Sequence, residues 1–180
     1  IALLTREGHG PGLAEYFGKR IFFNDQVRVE DQSGDWAQFE LHGPQAGEAL
    51  AALGLGKPPE LNTMEKSDWQ DQPLSAIGIR GLGTELGWHL LLAESAAEDL
   101  RAALEQAGAA ALTADAAKVL RVEAGLPGPG ELNGDYTPFE VGLAEIVSAT
   151  KGCYTGQEVL ARQVTYDKVT RQMALLACDG

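Results

Sequence analysis

Two strand patterns followed by a helix pattern constrain the fold of this chain most strongly. Residues 74–80 and 88–92 are short, largely apolar runs of the kind that forms strands. Residues 95–107 then place Leu100, Ala103 and Leu104 on one helical face, and Gly108 ends the pattern. Ser95 with Glu98 predicts a capping box at the helix start. A chain with this order must bury the helix against a sheet.

A similar order is predicted nearer the start of the chain. A short helix is indicated over residues 12–19, and residues 27–30 and 36–41 are strand-like, with a polar hairpin loop between them. Ala46, Leu50 and Leu53 then recur on one helical face. Residues 57–73 are polar and predicted to be irregular. Hairpin and helix units that recur in this way, as in ferredoxin-like folds, predict the α+β class.

Composition narrows the range of functions. Hydrophobic residues are 44% of the 180 and charged residues 22%, an ordinary globular balance. The formal net charge of −12 disfavours direct nucleic-acid binding, which requires a face rich in lysine and arginine. No signal peptide or membrane-spanning run is present, and two separated cysteines are typical of free thiols, so we expect a cytoplasmic protein with no membrane partner.

The last third of the chain contains the stretch with the most chemical information. Residues 151–158 read KGCYTGQE, and the spacing of Thr155 and Glu158 predicts a second capping box. Cys153 would then lie two residues before a helix cap. Unpaired N–H groups and the helix dipole at such a site, together with Lys151, lower the pKa of a thiol. This pattern favours a reactive cysteine, and its alternative is a buried structural cysteine. Cys178 follows an apolar run, which favours a structural role.

Other kinds of site are less well supported by the sequence. A cysteine hydrolase requires a base, and the sequence does not bring His9, His42 or His89 to Cys153. The histidines and cysteines lack metal-ligand spacing, so no metal is expected. Prolines interrupt the glycines of residues 125–130, which argues against a dinucleotide loop.

Three stretches together resemble a known family. They are residues 120–127 (LRVEAGLP), residues 137–140 (TPFE) and the octapeptide at 151–158 with Ala161 and Arg162 after it. They are similar to the YgfZ family of folate-binding proteins related to iron–sulfur clusters, itself a relative of the T-protein (aminomethyltransferase) of the glycine cleavage system. The cysteine octapeptide is typical of the YgfZ branch.

The resemblance implies a fold, a ligand and partners. The fold would be an aminomethyltransferase-like folate-binding domain over residues 1–170, with residues 171–180 as the first strand of a C-terminal β-barrel. The ligand would be tetrahydrofolate, and the partners iron–sulfur enzymes or their assembly proteins, with an indirect link to tRNA modification. The family's N-terminal segment is not found, so we expect the chain to be the middle of a longer protein.

The resemblance also assigns residues. Cys153 would be the reactive thiol of the motif, and Arg121 matches an arginine of the family. Glu85 or Glu140 would bind the pterin ring and Arg121 or Lys151 the glutamate tail, because folate requires a carboxylate and a cation. The motif residues are Lys151, Gly152, Cys153, Tyr154, Gly156, Gln157 and Glu158. Two alternatives remain: a folate-dependent aminomethyltransferase, and a folate-binding scaffold without chemistry.

Overall fold

The computed structural model describes residues 1–5, 8–84 and 86–176, and the chain divides into two compact units. The first, here called the sheet unit, comprises Ile1–Arg80 and Leu86–Ala110. The second, here called the loop unit, comprises Gly81–Glu85 and Ala111–Gly180.

The sheet unit is built on four antiparallel strands. Its elements in chain order are α1 (Gly10–Gly18), β1 (Trp36–Leu41), α2 (Ala46–Ala52), β2 (Met64–Trp69), β3 (Gln72–Arg80), β4 (Leu86–Ala93) and α3 (Ala97–Gln106). The strand order is β1-β4-β3-β2, so β1 and β2 are the edges. In the register, Leu41 and Gly78 both lie opposite Trp88. The strands predicted over 74–80 and 88–92 are confirmed.

One face of this sheet carries the core. Leu74, Leu90 and Leu92 are at most 1% exposed, and so are Leu50 of α2 and Leu100 of α3. Side chains alternate between the faces of a strand, so these positions form one continuous apolar layer beneath the two helices. The two helix patterns that the sequence predicted therefore provide the second layer of the core.

The predicted first hairpin is wrong. Residues 27–30 form no strand, and β1 pairs with β4 instead. Val27 is 61% exposed, so its apolar alternation with Val29 lacks a buried partner strand. The prediction for residues 57–73 is also wrong, because β2 lies there and pairs with β3. Among the residues of β2 only Trp69 is buried, which explains a polar sequence on an edge strand.

The capping box predicted for Ser95 and Glu98 is not formed. A 3-10 turn over Glu94–Ala96 precedes α3, and the cap residue Ala96 makes no side-chain hydrogen bond to the helix. Ser95 lies inside that turn, so it cannot take the cap position. The body of the helix is confirmed, with Leu100 and Leu104 buried.

The loop unit contains two short helices, α4 (Ala114–Glu123) and α5 (Gln157–Thr165), and a 3-10 turn at Ala144–Ile146. The Thr113 hydroxyl caps α4 by accepting from the Ala116 N–H at 3.2 Å. Thr137, Pro138 and Glu140 have the spacing typical of a helix start, with threonine as cap and proline first, but no helix begins there. Only a turn forms there, and Gly142, with a φ of +74°, ends it in a conformation that glycine adopts readily.

The end of the chain was predicted to begin a barrel. Residues 171–176 form no strand in the structure. Residues 177–180, among them Cys178, lie outside the described residues. The barrel and the boundary at residue 170 therefore stay predictions.

Candidate functional site

Cys153 lies in an exposed loop before α5. Its thiol is free, and the loop leads to Gly156, which caps the helix with a left-handed φ of 88° and no side-chain hydrogen bond. The predicted capping box of Thr155 and Glu158 is therefore wrong. Glu158 instead pairs with Arg162 one turn later, at 3.0 Å between Oε1 and Nη2. Cys153 lies three residues before the cap, one residue farther than the spacing predicted.

A serine that the sequence reasoning missed organises this loop. The Ser148 hydroxyl accepts from the backbone N–H groups of Lys151, at 3.0 Å, and of Thr150, at 3.4 Å. The Tyr154 hydroxyl donates to the Ser148 carbonyl at 3.5 Å. A serine that accepts from N–H groups two and three residues later is typical of such turns, and this was the available signal. The octapeptide thus begins from a turn held by Ser148.

Lys151 lies against an aromatic ring. Its Nζ is 4.5 Å from the centre of the Tyr154 ring, within cation–π distance. Both residues belong to the predicted motif, and they flank Cys153 in sequence. The arrangement places a positive charge and a flat ring in the same loop as the free thiol.

Arg121 holds a loop in place. It is in the last turn of α4, with its side chain 19% exposed, and Nη1 donates to the Leu126 carbonyl at 2.6 Å. The same atom is 3.5 Å from Oε2 of Glu131, which also accepts from the Gly128 N–H at 2.6 Å. A Cβ on Gly128 would lie 2.5 Å from the Arg121 Cζ, so a larger residue there would displace the guanidinium. The sequence left a ligand role or an ion pair open for Arg121, and the structure contains the ion pair.

Glu140 is bound to a distant arginine. Its Oε1 accepts from Arg171 Nε at 2.9 Å, and its Oε2 accepts from the Thr137 N–H at 2.9 Å. The Thr137 N–H and then Arg171 hold the pKa of the Glu140 carboxyl below its usual range, although burial opposes them. Arg171, 31 residues away in sequence, was not predicted, because no local pattern joins it to residue 140. The bond from the Thr137 N–H has the geometry of one half of a capping box, although no helix follows it.

The predicted site residues are not joined into one cluster. Arg121, Glu140 and Cys153 all belong to the loop unit, and no hydrogen bond or ion pair links them among the described residues. Glu85, predicted to bind the pterin ring, lies outside the described residues.

Two histidines meet a carboxylate on the sheet unit. His42 Nε2 is 3.1 Å from Glu40 Oε2, and His89 Nδ1 is 3.9 Å from Glu40 Oε1. His89 Nε2 donates to Gln38 Oε1 at 3.0 Å. Burial lowers the pKa of His89, with Glu40 acting in the opposite direction and His42 in the same direction.

We expect His89 to make the stability of the sheet unit depend on pH. The folded protein resists protonation of His89, whereas the unfolded chain takes up the proton near the usual pKa of about 6.5. The free energy of unfolding should therefore fall as the pH is lowered through that value, and level off below the folded pKa. His89→Gln should flatten this fall in urea titrations across pH, whereas His9→Gln, at an exposed position, should not. An unchanged slope in His89→Gln would contradict the assignment.

Within residues 1–5, 8–84 and 86–176, no group of three or more His, Cys, Asp and Glu side chains could hold a metal ion. In the same ranges, no helix combines the length and the apolar composition that crossing a membrane requires.

Comparison with known proteins defines the class to which this fold and these loops belong. The model of the GCVT N-terminal domain matches residues 3–151, most of the chain. The chain therefore belongs to the GCVT N-terminal domain family.

Similar proteins carry transferase names. A candidate chloroplastic transferase of Arabidopsis thaliana is 29% identical over 89% of this chain. The aminomethyltransferases of Moorella thermoacetica and Rubrobacter xylanophilus are 33% and 32% identical over 77% and 76% of it. The chain spans 38% to 39% of the lengths of these three curated relatives. The aminomethyltransferase side of the predicted resemblance is confirmed, and membership of the YgfZ branch stays a prediction.

Proposed function

We propose that this chain is a folate-binding part of an aminomethyltransferase-like protein and that its ligand is tetrahydrofolate. The observation that carries the proposal is the family match over residues 3–151, together with relatives named aminomethyltransferases. The name of those relatives describes the transfer of an aminomethyl group. The family resemblance implies that a folate carries this group.

The finer proposal concerns the role of the bound folate. The octapeptide around Cys153 supports an accessory role in iron–sulfur cluster assembly or repair, with an indirect effect on tRNA modification. In this role Cys153 is a reactive thiol, and the partners are iron–sulfur enzymes or their assembly proteins. The free, exposed thiol in a loop with Lys151 and Tyr154 is compatible with it. We propose a cytoplasmic location because the two separated cysteines are typical of free thiols. One relative is named as chloroplastic.

Within this proposal, the predicted folate-binding residues keep their roles. Arg121 or Lys151 would bind the glutamate tail, and Glu85 or Glu140 the pterin ring. The pairing of Arg121 with Glu131 and of Glu140 with Arg171 fixes the orientation of both groups before a ligand arrives, which lowers the entropic cost of binding.

Calorimetric titration with tetrahydrofolate tests the proposal. We expect the wild-type chain to bind, and Arg121→Met to weaken binding by about tenfold, the loss expected when a charge-assisted hydrogen bond is removed. Glu131→Gln is the matched control, because it breaks the same ion pair and leaves the guanidinium in place. It should weaken binding by less than about threefold.

Each other outcome has a distinct meaning. Equal losses in Arg121→Met and Glu131→Gln would show that Arg121 only positions the loop at 126–131. The absence of binding heat in the wild-type chain would contradict the folate proposal. Turnover of an aminomethyl donor in the presence of tetrahydrofolate would establish the aminomethyltransferase alternative instead.

A further inference from the structure

A shallow depression lies on the sheet, on the side away from the core helices α2 and α3. It has a volume of about 320 Å³, and its lining includes Trp36, Lys66, Asp68, Pro73 and Ser75. Alternation along the strands places Trp36 and Ser75 opposite the buried Ala37 and Leu74. The volume is at the lower end of the range of ligand pockets, about 300 Å³ to 1,000 Å³, and so fits a small ligand.

The wall of the depression is an exposed indole. Of the three tryptophans in the chain, Trp69 and Trp88 are 6% exposed and belong to the core, whereas Trp36 is 39% exposed. Trp36 lies opposite Ala93 of β4 in the register, so its neighbour on the next strand is a small side chain. The exposed tryptophan and Pro73, both in the lining, offer apolar surface on which an aromatic ring can stack.

The opposite wall carries two charges of opposite sign. Lys66 and Asp68 project from the same face of β2, at a Cα separation of about 6.6 Å for alternate residues of a strand. Neither the Lys66 ammonium nor the Asp68 carboxylate has a hydrogen-bond or ion-pair partner among the described residues. A simple anion would be repelled by Asp68, and a simple cation by Lys66. A ligand that carries both charges satisfies both groups.

We propose that this depression binds a small aromatic zwitterion of the class of aromatic α-amino acids. The ring stacks on Trp36 above Pro73, the carboxylate meets Lys66, and the ammonium meets Asp68. Because every lining residue belongs to the sheet unit, the site does not depend on folate binding by the loop unit. The depression is open to solvent, so half-saturation should fall on the order of a millimolar.

Tryptophan fluorescence of the full chain provides the test, with L-phenylalanine as the probe. The phenylalanine ring is not excited with tryptophan, and the two other tryptophans are buried, so Trp36 should give the ligand-dependent signal. We expect a saturable change in emission that is lost in Trp36→Phe. Phenylacetate, which lacks the ammonium, and phenethylamine, which lacks the carboxylate, should each bind about tenfold more weakly.

Charge variants make the test specific. Asp68→Asn should raise the affinity for phenylacetate to near that for phenylalanine, and Lys66→Met should do the same for phenethylamine. Lys57→Met removes an exposed lysine outside the depression and should change nothing. The proposal is overturned if emission does not change, if L-alanine gives the same change, or if either analogue binds the wild-type chain as tightly as phenylalanine. Emission that depends on the concentration of the protein and not on that of the ligand would point to a second copy covering Trp36. That result would also overturn the proposal.

Discussion

Replacing Gly78 with alanine is expected to destabilise the sheet unit by about 3 kcal/mol. The added Cβ would lie 2.1 Å from the Glu60 carbonyl oxygen and 2.6 Å from its carbon, which are backbone atoms that cannot rotate away. Gly78 lies two residues before the end of β3, opposite Trp88 of β4. Close approach of a second backbone is a recurring reason for glycine inside a strand.

The backbone that approaches Gly78 is held by several hydrogen bonds, so it cannot retreat without further loss. The Gly78 N–H donates to the Thr63 carbonyl at 2.9 Å, and the Asn62 N–H donates to the Gly78 carbonyl at 2.9 Å. The Trp88 indole N–H, which is buried, donates to the Pro59 carbonyl at 3.0 Å. Displacing this segment would leave a buried donor unpaired in addition to the steric strain.

Urea denaturation followed by tryptophan emission measures the effect, because all three tryptophans belong to the sheet unit. Gly78→Ala should lower the transition midpoint strongly with little change in slope. Gly12→Ala is the matched control: a Cβ there meets open space within α1, and alanine is favoured over glycine in helices. A midpoint in Gly78→Ala equal to that of the wild-type chain would contradict the packing described here.

β3, β4 and α3 were predicted correctly because burial determines their sequence pattern. β3, β4 and α3 alternate or repeat apolar residues because one face of each contacts the core, and Leu90 and Leu100 are fully buried. β2 was missed because an edge strand with a single buried residue carries no alternation. Residues 27–30 show the reverse case: their alternation is real, but a strand also requires a partner, which local sequence does not specify.

The site residues divide in the same way. The thiol, the arginine in α4 and the lysine of the octapeptide could be found from sequence. The ion-pair partners of Arg121 and Glu140 could not be found from sequence. Glu131 is ten residues from Arg121, and Arg171 is 31 residues from Glu140. Ion pairs over such separations depend on how the loops fold back, and capping depends on backbone angles, as the left-handed Gly156 shows.

Replacing Cys153 with serine is expected to abolish function in cells without destabilising the protein. Serine has nearly the shape of cysteine, and the side chain is exposed, so the free energy of unfolding should change by no more than about 0.5 kcal/mol. The serine hydroxyl stays neutral at neutral pH and contains no sulfur, so any step that needs a thiolate as the nucleophile stops. The measurement is the activity of an iron–sulfur enzyme that modifies tRNA, in cells where the variant replaces the protein.

Two controls separate the thiol from the loop around it. Thr155→Ala changes an exposed neighbour that does not cap α5, and should keep both stability and function. Ser148→Ala removes the hydroxyl that accepts from Lys151 and Thr150, so it should loosen the loop and reduce function while leaving the sulfur in place. The rate of Cys153 alkylation at neutral pH gives an independent measure, and a thiol that reacts no faster than free cysteine would contradict activation.

The combination of these results decides between the accessory role and the scaffold. If Cys153→Ser is silent in cells while Arg121→Met abolishes function, then folate binding without thiol chemistry is sufficient. If Cys153→Ser abolishes function while tetrahydrofolate still binds with unchanged affinity, then the thiol acts after the ligand is in place. Because Cys153 and Arg121 share no hydrogen bond or ion pair among the described residues, the two substitutions should affect binding independently. A strong coupling between them in tetrahydrofolate affinity would mean that the thiol itself contacts the ligand.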